Sequence, residues 1–416
     1  MTRGGFEGLD ACVHCGFCLQ ACPTFLATGD ESDSPRGRIE LMRGLERGDI
    51  AATDPALIYH LDRCLGCRAC EPVCPSGVQY GHGLEAARSR ITGERGVSRL
   101  ARLALWTLTT PGVSGVVYWL TRLLRATGLP RLFAGWGRFR FAMGMLAATK
   151  PVGRMGRWAD GRTHRAGTAH PPIRPSAQLF RGCVMQGLFS HVHDATIRTL
   201  GVNGYQTREV DGQVCCGALH EHAGLANEAR ALARINVEAF GDGDEPIVVN
   251  SAGCGALMKD YGRLLGDERS ERFAARVKDV TELLAGPPPS LVPGAPLDLH
   301  VAYDPPCHLL HAQRIAIPPL KLFAAIPLLE LVPVTGAAEC CGSAGLFTLL
   351  EPEMSRAVLS AKLERLREAA PQVVATGNPG CLMQIGAGLA AAGIRARVRH
   401  PIELLDDAYR AAGRYE

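Results

Sequence analysis

Two copies of one cysteine run constrain this chain more than any other feature. The first is Cys12, Cys15, Cys18 and Cys22-Pro23; the second is Cys64, Cys67, Cys70 and Cys74-Pro75. Each reads C-x2-C-x2-C-x3-C-P, the bacterial spacing for a [4Fe–4S] cluster. Three close thiolates wrap one corner of a cube. The fourth, one residue further on and stopped by proline, turns away and in two-cluster chains serves the other cluster. The expected sets are Cys12, Cys15, Cys18 with Cys74, and Cys64, Cys67, Cys70 with Cys22. A disulfide or a zinc site suits any single CxxC; two complete copies point to clusters.

The rest of the composition fits that reading. The chain has 416 residues, 47% hydrophobic and 21% charged, which suits two to four globular domains. Sixteen cysteines would suggest disulfides in a small secreted protein, but this chain is large. It opens MTRGGFEGLD, without a charged-then-apolar signal segment, and clusters need reduced thiolates, so a cytosolic compartment is expected. The net charge is only +4, but from Arg99 to Arg165 there are twelve Lys/Arg against one acid, Asp160, which leaves the remainder at 4 − 11 = −7. No apolar run reaches the roughly 18 residues of a membrane span; the best, Gly112 to Thr121, ends at Arg122.

Between the cysteine runs, Ser34-Pro35 opens a helical pattern with Ile39, Met42 and Leu45 on one face. Asp54-Pro55 opens a second through Leu57, Ile58 and Leu61, and Gly83 to Ile91 reads as a third. The runs are 64 − 12 = 52 residues apart, which favours an α-helical ferredoxin domain over residues 1–95. Arg36, Arg38 and Arg63 flank the cysteines, to tune potential, meet a partner or simply be solvated. Residues 96–176 hold all four tryptophans, Trp106, Trp119, Trp136 and Trp158, among arginines. Trp and Arg on amphipathic helices suit a membrane interface, with arginines such as Arg122 and Arg125 meeting anionic headgroups; packing on a protein neighbour is the other reading. No groove-reading motif supports nucleic acid. Gly161 to Pro175 reads as a linker.

The C-terminal part is duplicated. Cys183, Cys215-Cys216-Gly217, Cys254 and Glu282 recur as Cys307, Cys340-Cys341-Gly342, Cys381 and Glu403, at offsets of 124, 125, 127 and 121. Pro287-Pro288-Pro289 separates one copy, residues 177–286, from the other, 295–416. Within each, short apolar runs (177–181, 247–249, 299–303, 373–375) lead into Cys183, Cys254, Cys307 and Cys381, with helical patterns such as 225–240 and 352–369 between them. Cysteines just past strand carboxyl ends sit where open α/β sheets bind ligands. The eight cysteines leave three readings open: a further iron–sulfur cluster, zinc or another structural metal, and redox-active or buried thiols. His220, His222 and His308 beside them are candidate ligands or proton relays, or hydrogen-bonded structural histidines.

These residues resemble a known family. CVHCGFCLQACPTF, PRGRIELM, HLDRCLGCRACEPVCPSGVQYG, CCGALHEHAG, NSAGCGA, AYDPPCHLLHAQR, ECCGSAGLF and GNPGCLMQI look like the iron–sulfur subunit of bacterial glycolate oxidase (glycolate dehydrogenase). The match is weakest from Arg99 to Pro175. Its cysteine skeleton is shared with the CCG-domain subunits of anaerobic glycerol-3-phosphate dehydrogenase, lactate-utilisation proteins and heterodisulfide reductase. The resemblance implies a multidomain α and α/β protein: a helical two-cluster ferredoxin domain, a basic helical connector, and two cysteine-rich CCG domains. It implies an electron-transfer subunit, inactive alone, that takes electrons from FAD-containing partner subunits oxidising glycolate to glyoxylate. They pass to a membrane quinone, with the chain peripheral on the inner face of the cell membrane. The alternatives are the same role with lactate or glycerol 3-phosphate, or CCG domains that are only a docking scaffold. One departure matters. Heterodisulfide-reductase relatives carry a CxxC at the end of each repeat and hold a noncubane cluster on five cysteines; here Leu257 and Gln384 stand at the fifth position. The near match to G-x-G-x-x-G/A at Gly386 to Ala391 lies inside a predicted helix, the wrong context for a dinucleotide.

Overall fold

The computed structural model describes residues 5–150, 175–286 and 291–415. The expected linkers at 161–174 and Pro287 to Pro289, together with Trp158, lie outside the described residues. The N-terminal part is helical. Helix Pro35–Arg47 begins where expected, with Ser34 Oγ accepting from the Gly37 N–H at 3.0 Å and proline in the first turn. Helix Pro55–Asp62 is capped by Asp54, which accepts from the N–H groups of Ala56 and Leu57. The third helix runs Tyr80–Arg95. Their apolar faces, including Met42, Leu45, Leu57, Leu61 and Ile91, close on the cysteine runs themselves, with Cys64 and Cys70 in the same core.

Two four-stranded parallel sheets follow. The first contains β1 (Ser176–Phe180), β2 (Gln206–Glu209), β3 (Ile247–Val249) and β4 (Val277–Asp279) in the order β2-β1-β3-β4. The second contains β5 (Leu299–Tyr303), β6 (Leu329–Leu331), β7 (Val373–Ala375) and β8 (Arg397–Arg399) in the order β6-β5-β7-β8. The order is the same, so the sequence repeat is a structural repeat. Each closes on the same device: Glu282 accepts from the Asp279 N–H, and Glu403 from the His400 N–H, as the carboxylates of capping boxes. The chain winds one way from β1 to β2 and the other way to β3, so the switch point lies between β1 and β3, and between β5 and β7 in the second copy.

The two repeats share a core. Helix Ser190–Val202 lies along helix Pro401–Ala411, with Arg198 gripping Asp406 through two bonds of 2.8 Å. The backbones meet at the switch points, where Ala252 N–H donates to the Gly377 carbonyl at 3.1 Å. The N-terminal part docks on both copies. Arg88 donates to the His222 carbonyl and Thr92 to the Ala223 carbonyl, while Leu65, Cys67 and Ala69 pack with Cys340, Phe347, Met354 and Val358.

The connector forms helices Arg99–Thr109, Val113–Ala126, Leu129–Leu132 and Arg138–Ala148. None of the described helices is long and apolar enough to cross a membrane. Arg122 and Arg125 do not project outward as expected. Arg122 donates to the carbonyls of Gly187 and Gln186 at 2.6 and 2.7 Å, and Arg125 to those of Thr149 and Leu188, so both pin the connector to the first repeat. Helix Arg138–Ala148 packs on helix Pro379–Ala391, where Gly144 meets Ala387 and Gly386 meets Ala148. The glycines of the dinucleotide-like stretch therefore serve helix–helix contact. A Cβ at Gly386 would collide with Ala148. Gly386→Leu is expected to cost about 1–3 kcal/mol, read as a lower thermal midpoint with new protease cleavage in residues 138–150; an unchanged midpoint would count against this packing.

Candidate functional site

The N-terminal cysteines form two groups. A small cavity is lined by Cys12, Cys15, Cys18 and Cys74, and a second by Cys22, Cys64, Cys67 and Cys70. Cys70 borders both. The fourth cysteine of each run thus crosses to the other, the arrangement that suits two [4Fe–4S] groups with four thiolates each. The first group is near the surface, with Cys15 exposed beside exposed Val13 and Phe17.

The second group sits on buried positive charge. Arg38 is fully buried, and its guanidinium bonds Thr24 Oγ1 at 2.9 Å, Asp33 Oδ1 at 3.1 Å and the His60 carbonyl at 2.7 Å. Its Nη1 lies 4.0 Å from Cys22 Sγ. Solvation, one reading the sequence allowed for this arginine, is thereby replaced by a structural role. Asp33 also receives Arg63, so two guanidiniums face one carboxylate. Cys64 accepts from Tyr80 Oη and the Gly66 N–H, each at 3.4 Å. Burial pushes the Cys64 thiol up, but Arg38 and Arg88 outweigh it and hold the pKa below the ordinary thiol range. Cys67 and Cys70 lack such partners, and burial pushes both well up. A thiolate-ligated cluster is a buried anion, and the cation offsets it.

The eight cysteines of the repeats meet at one place. Cys183 follows β1 and Cys254 follows β3, as Cys307 follows β5 and Cys381 follows β7, so all four stand at the switch points. The vicinal pairs come in from the loops after β2 and β6. Gly217 and Gly342, at φ +87° and +82°, turn those loops against Ala229 and Ser355, where a side chain would crowd Ala229 and collide with the Ser355 carbonyl. Within each pair the two thiols touch each other and also reach different partners: Cys215 receives Cys183 at 3.6 Å while Cys216 contacts Cys254. Cys340 likewise contacts Cys307, and Cys341 contacts Cys381. Accepting from both Cys183 and Cys216 holds Cys215 well below the ordinary thiol range. All eight line a single cavity of about 730 Å³ between the repeats, the N-terminal helices and the connector.

Among the described residues, the one His/Cys/Asp/Glu group with ligand atoms mutually within 4.8 Å is Asp30, Asp33 and His60, where Asp33 is already taken by two arginines. No three cysteine sulfurs are that close. Four thiolates around one zinc at about 2.3 Å would stand about 3.8 Å apart.

His222 and His308 come together on the cavity wall, ring centroids 5.3 Å apart. Burial, then the second histidine and Arg88, drop His222 to about 3; burial, then Arg68, drops His308 to about 4. Both are neutral at pH 7. His308 Nδ1 is 3.5 Å from Cys307 Sγ and its Nε2 has no partner. His220 is buried off the cavity wall, its Nδ1 without a partner. Two site residues were not read from the sequence. Asn378 donates to Cys381 Sγ at 3.5 Å and accepts from the Gly253 N–H at 3.2 Å, tying the two cysteine groups together. Its offset from Ser251, 378 − 251 = 127, equals that of Cys381 from Cys254, a signal the repeat contained. Tyr118, from the connector, also lines the cavity and carried no such signal. Arg38→Gln is expected to destabilise the fold by about 3 kcal/mol, the cost of breaking a buried pair. It should also lower the reduction potential of one of two centres in an EPR-monitored titration; equal shifts in both, or none, would count against a local role.

Comparisons with known proteins agree with this layout. The 4Fe-4S dicluster domain family matches residues 8–78, and the cysteine-rich domain family matches residues 177–259 and 301–386. The probable glycolate oxidase iron-sulfur subunit of Bacillus subtilis (strain 168) is 34% identical over 97% of this chain and 94% of its own. The glycolate oxidase iron-sulfur subunit of Escherichia coli (strain K12) is 32% identical over 96% of this chain and 94% of its own. Lactate utilization protein A of Exiguobacterium sp. is 28% identical over 57% of this chain and all of its own. With two full-length relatives above 30% identity and both domain families in the same order, the chain belongs to the family of glycolate oxidase iron–sulfur subunits.

Proposed function

We propose that this chain is the electron-transfer subunit of a glycolate oxidase complex, passing electrons from FAD-bearing partner subunits that oxidise glycolate to glyoxylate on to a membrane quinone. One observation carries the proposal: thiolates form a path from the surface at Cys15, through the buried group at Cys67, to Cys340 and the cavity. Clusters held by Cys12, Cys15, Cys18 and Cys74 and by Cys22, Cys64, Cys67 and Cys70 supply one-electron redox steps, which split the two electrons of a reduced flavin. Arg38 offsets the buried negative charge, Tyr80 and the Gly66 amide fix Cys64, and the packed wall around Cys67 and Cys340 keeps water from the junction. Eight cysteines around one cavity, in two sets of four, supply more thiolates than a single zinc ion takes, which supports a multi-iron group there. Full-length similarity to glycolate oxidase subunits favours glycolate; the lactate-utilisation relative covers little more than half of the chain.

The connector supports peripheral contact with the inner face of the membrane. Thirteen of the twenty-five exposed large apolar side chains among the described residues fall between Leu100 and Phe139, so exposure is concentrated rather than scattered. No residue of helix Val113–Ala126 is fully buried, and Trp119 is 62% exposed. A patch of this kind marks an interaction surface, and tryptophan at its centre suits headgroup depth.

Two experiments test this reading. In anaerobically purified chain, iron is expected to exceed about eight per chain and to fall towards eight in Cys215→Ser/Cys340→Ser, with quinone-linked glycolate oxidation lost. Unchanged iron and full activity would make the repeats a scaffold. For the membrane contact, Trp119→Ser/Leu123→Ser is expected to weaken sedimentation with anionic vesicles at least tenfold, since each buried side chain contributes about 1.5–3 kcal/mol. Equal binding would transfer the patch to a protein partner.

A further inference from the structure

The connector's lipid-facing helix has a second face, and that face closes the cysteine cavity. Along Val113–Ala126, Val116, Trp119, Leu120 and Leu123 are exposed, while Tyr118, Arg122 and Arg125 turn towards the first repeat. Apolar side chains of the connector and the repeats, Val97, Leu108, Met145, Met185, Leu188 and Met383, line part of the cavity. The connector also contributes polar Ser98 and the phenol of Tyr118. Its hydroxyl is buried and has no hydrogen-bond partner. A buried donor left unpaired is costly and in native proteins calls for an occupant.

The surroundings hold this phenol in place. Its ring lies across Gly187, where any side chain would collide with it. One turn on, Arg122 clamps the Gly187 and Gln186 carbonyls. Burial, with Cys183 and Cys215 as neighbours, pushes the phenol up, so it remains a donor. The cavity of about 730 Å³ is shared with the eight repeat cysteines and whatever group they hold, and its total size is within the range of sites that enclose a cofactor-sized ligand.

We propose that the connector end of this cavity is the acceptor pocket, in which the ring of a lipid-borne quinone lies beside Cys183 and Cys215 and takes a hydrogen bond from Tyr118 Oη at one carbonyl. This rests on the membrane electron-transfer reading above. The chemistry selects the ligand: it must arrive from the apolar phase, be flat enough to enter between helix and sheet, accept a hydrogen bond, and accept electrons next to thiolates. Reduction of the ring to its hydroquinone takes two electrons and two protons. The electrons come from the partner's 2-hydroxy-acid substrate, which becomes the 2-oxo acid, and the protons from water.

The test uses the complete complex with Tyr118→Phe, which keeps the ring on Gly187 and removes only the hydroxyl. Glycolate-driven reduction of decylubiquinone is compared with reduction of ferricyanide, and an azidoquinone is photolysed on the wild-type complex. The KM for decylubiquinone is expected to rise about tenfold, the worth of one hydrogen bond, with kcat and ferricyanide reduction unchanged and the label on residues 113–126 or 183–188. An unchanged KM with label elsewhere overturns the site. Equal loss with both acceptors also overturns it, because Tyr118 would then act on the thiolate centres. A wild-type complex that reduces ferricyanide but no quinone would instead sink the functional reading beneath it.

Discussion

The crossing of Cys22 and Cys74 between the two N-terminal runs is the constraint from which the rest of the arrangement follows. It makes one body of two segments that are 52 residues apart, with the helices between them wrapped around the sulfurs. Because the runs are locked face to face, one group is left near the surface and the other points inward. The inward group carries Cys67 onto Cys340. The depth of that group also explains Arg38: a buried cluster of thiolates requires a buried counter-charge, and the helix opened by Ser34 and Pro35 delivers it one turn in.

Duplication gives the two repeats the same sheet and the same switch point, yet they occupy different surroundings. The N-terminal body packs on Phe347, Met354 and Val358 of the second repeat around Cys340 and bonds the His222 and Ala223 carbonyls of the first. The connector bonds Gly187, Gln186 and Leu188 of the first repeat and lays helix Arg138–Ala148 on helix Pro379–Ala391 of the second. Asn378 and the Ala252–Gly377 backbone bond hold the copies together between these two docks. On the proposed path from Cys15, the repeat cysteine packed against Cys67 is Cys340 of the second copy, while Tyr118 of the connector stands beside Cys183 and Cys215 of the first. The two copies of one scaffold thus have different neighbours.

Much of this was legible in the sequence. The central strands announced themselves, because β1, β3, β5 and β7 are apolar runs that end in cysteine-bearing loops, and three of the four begin where the apolar run begins. The flanking strands did not. Gln206–Glu209 is short, polar and largely exposed, as edges are, and Arg397–Arg399 is three residues with a single apolar side chain, so neither carries an alternation to find. The connector's helices were legible, but its arginines were not. An amphipathic helix with Arg every three or four residues reads the same whether the guanidiniums meet phosphate or, as at Arg122 and Arg125, backbone carbonyls. Arg38 was ambiguous for the same reason: its neighbours Arg36 and Arg43 are alike in sequence, and only the fold buries one of them. Tyr118 belongs to no motif, and its role depends on a glycine 69 residues away.

Low-temperature EPR of the anaerobically reduced, full-length chain bears on the central claim most directly. Two thiolate groups that share Cys70 as a common border are close enough to interact magnetically, so at least two paramagnetic centres with a mutually split or broadened signal are expected on full reduction. One isolated centre, two centres with no interaction, or no iron signal from active protein would contradict the crossed arrangement.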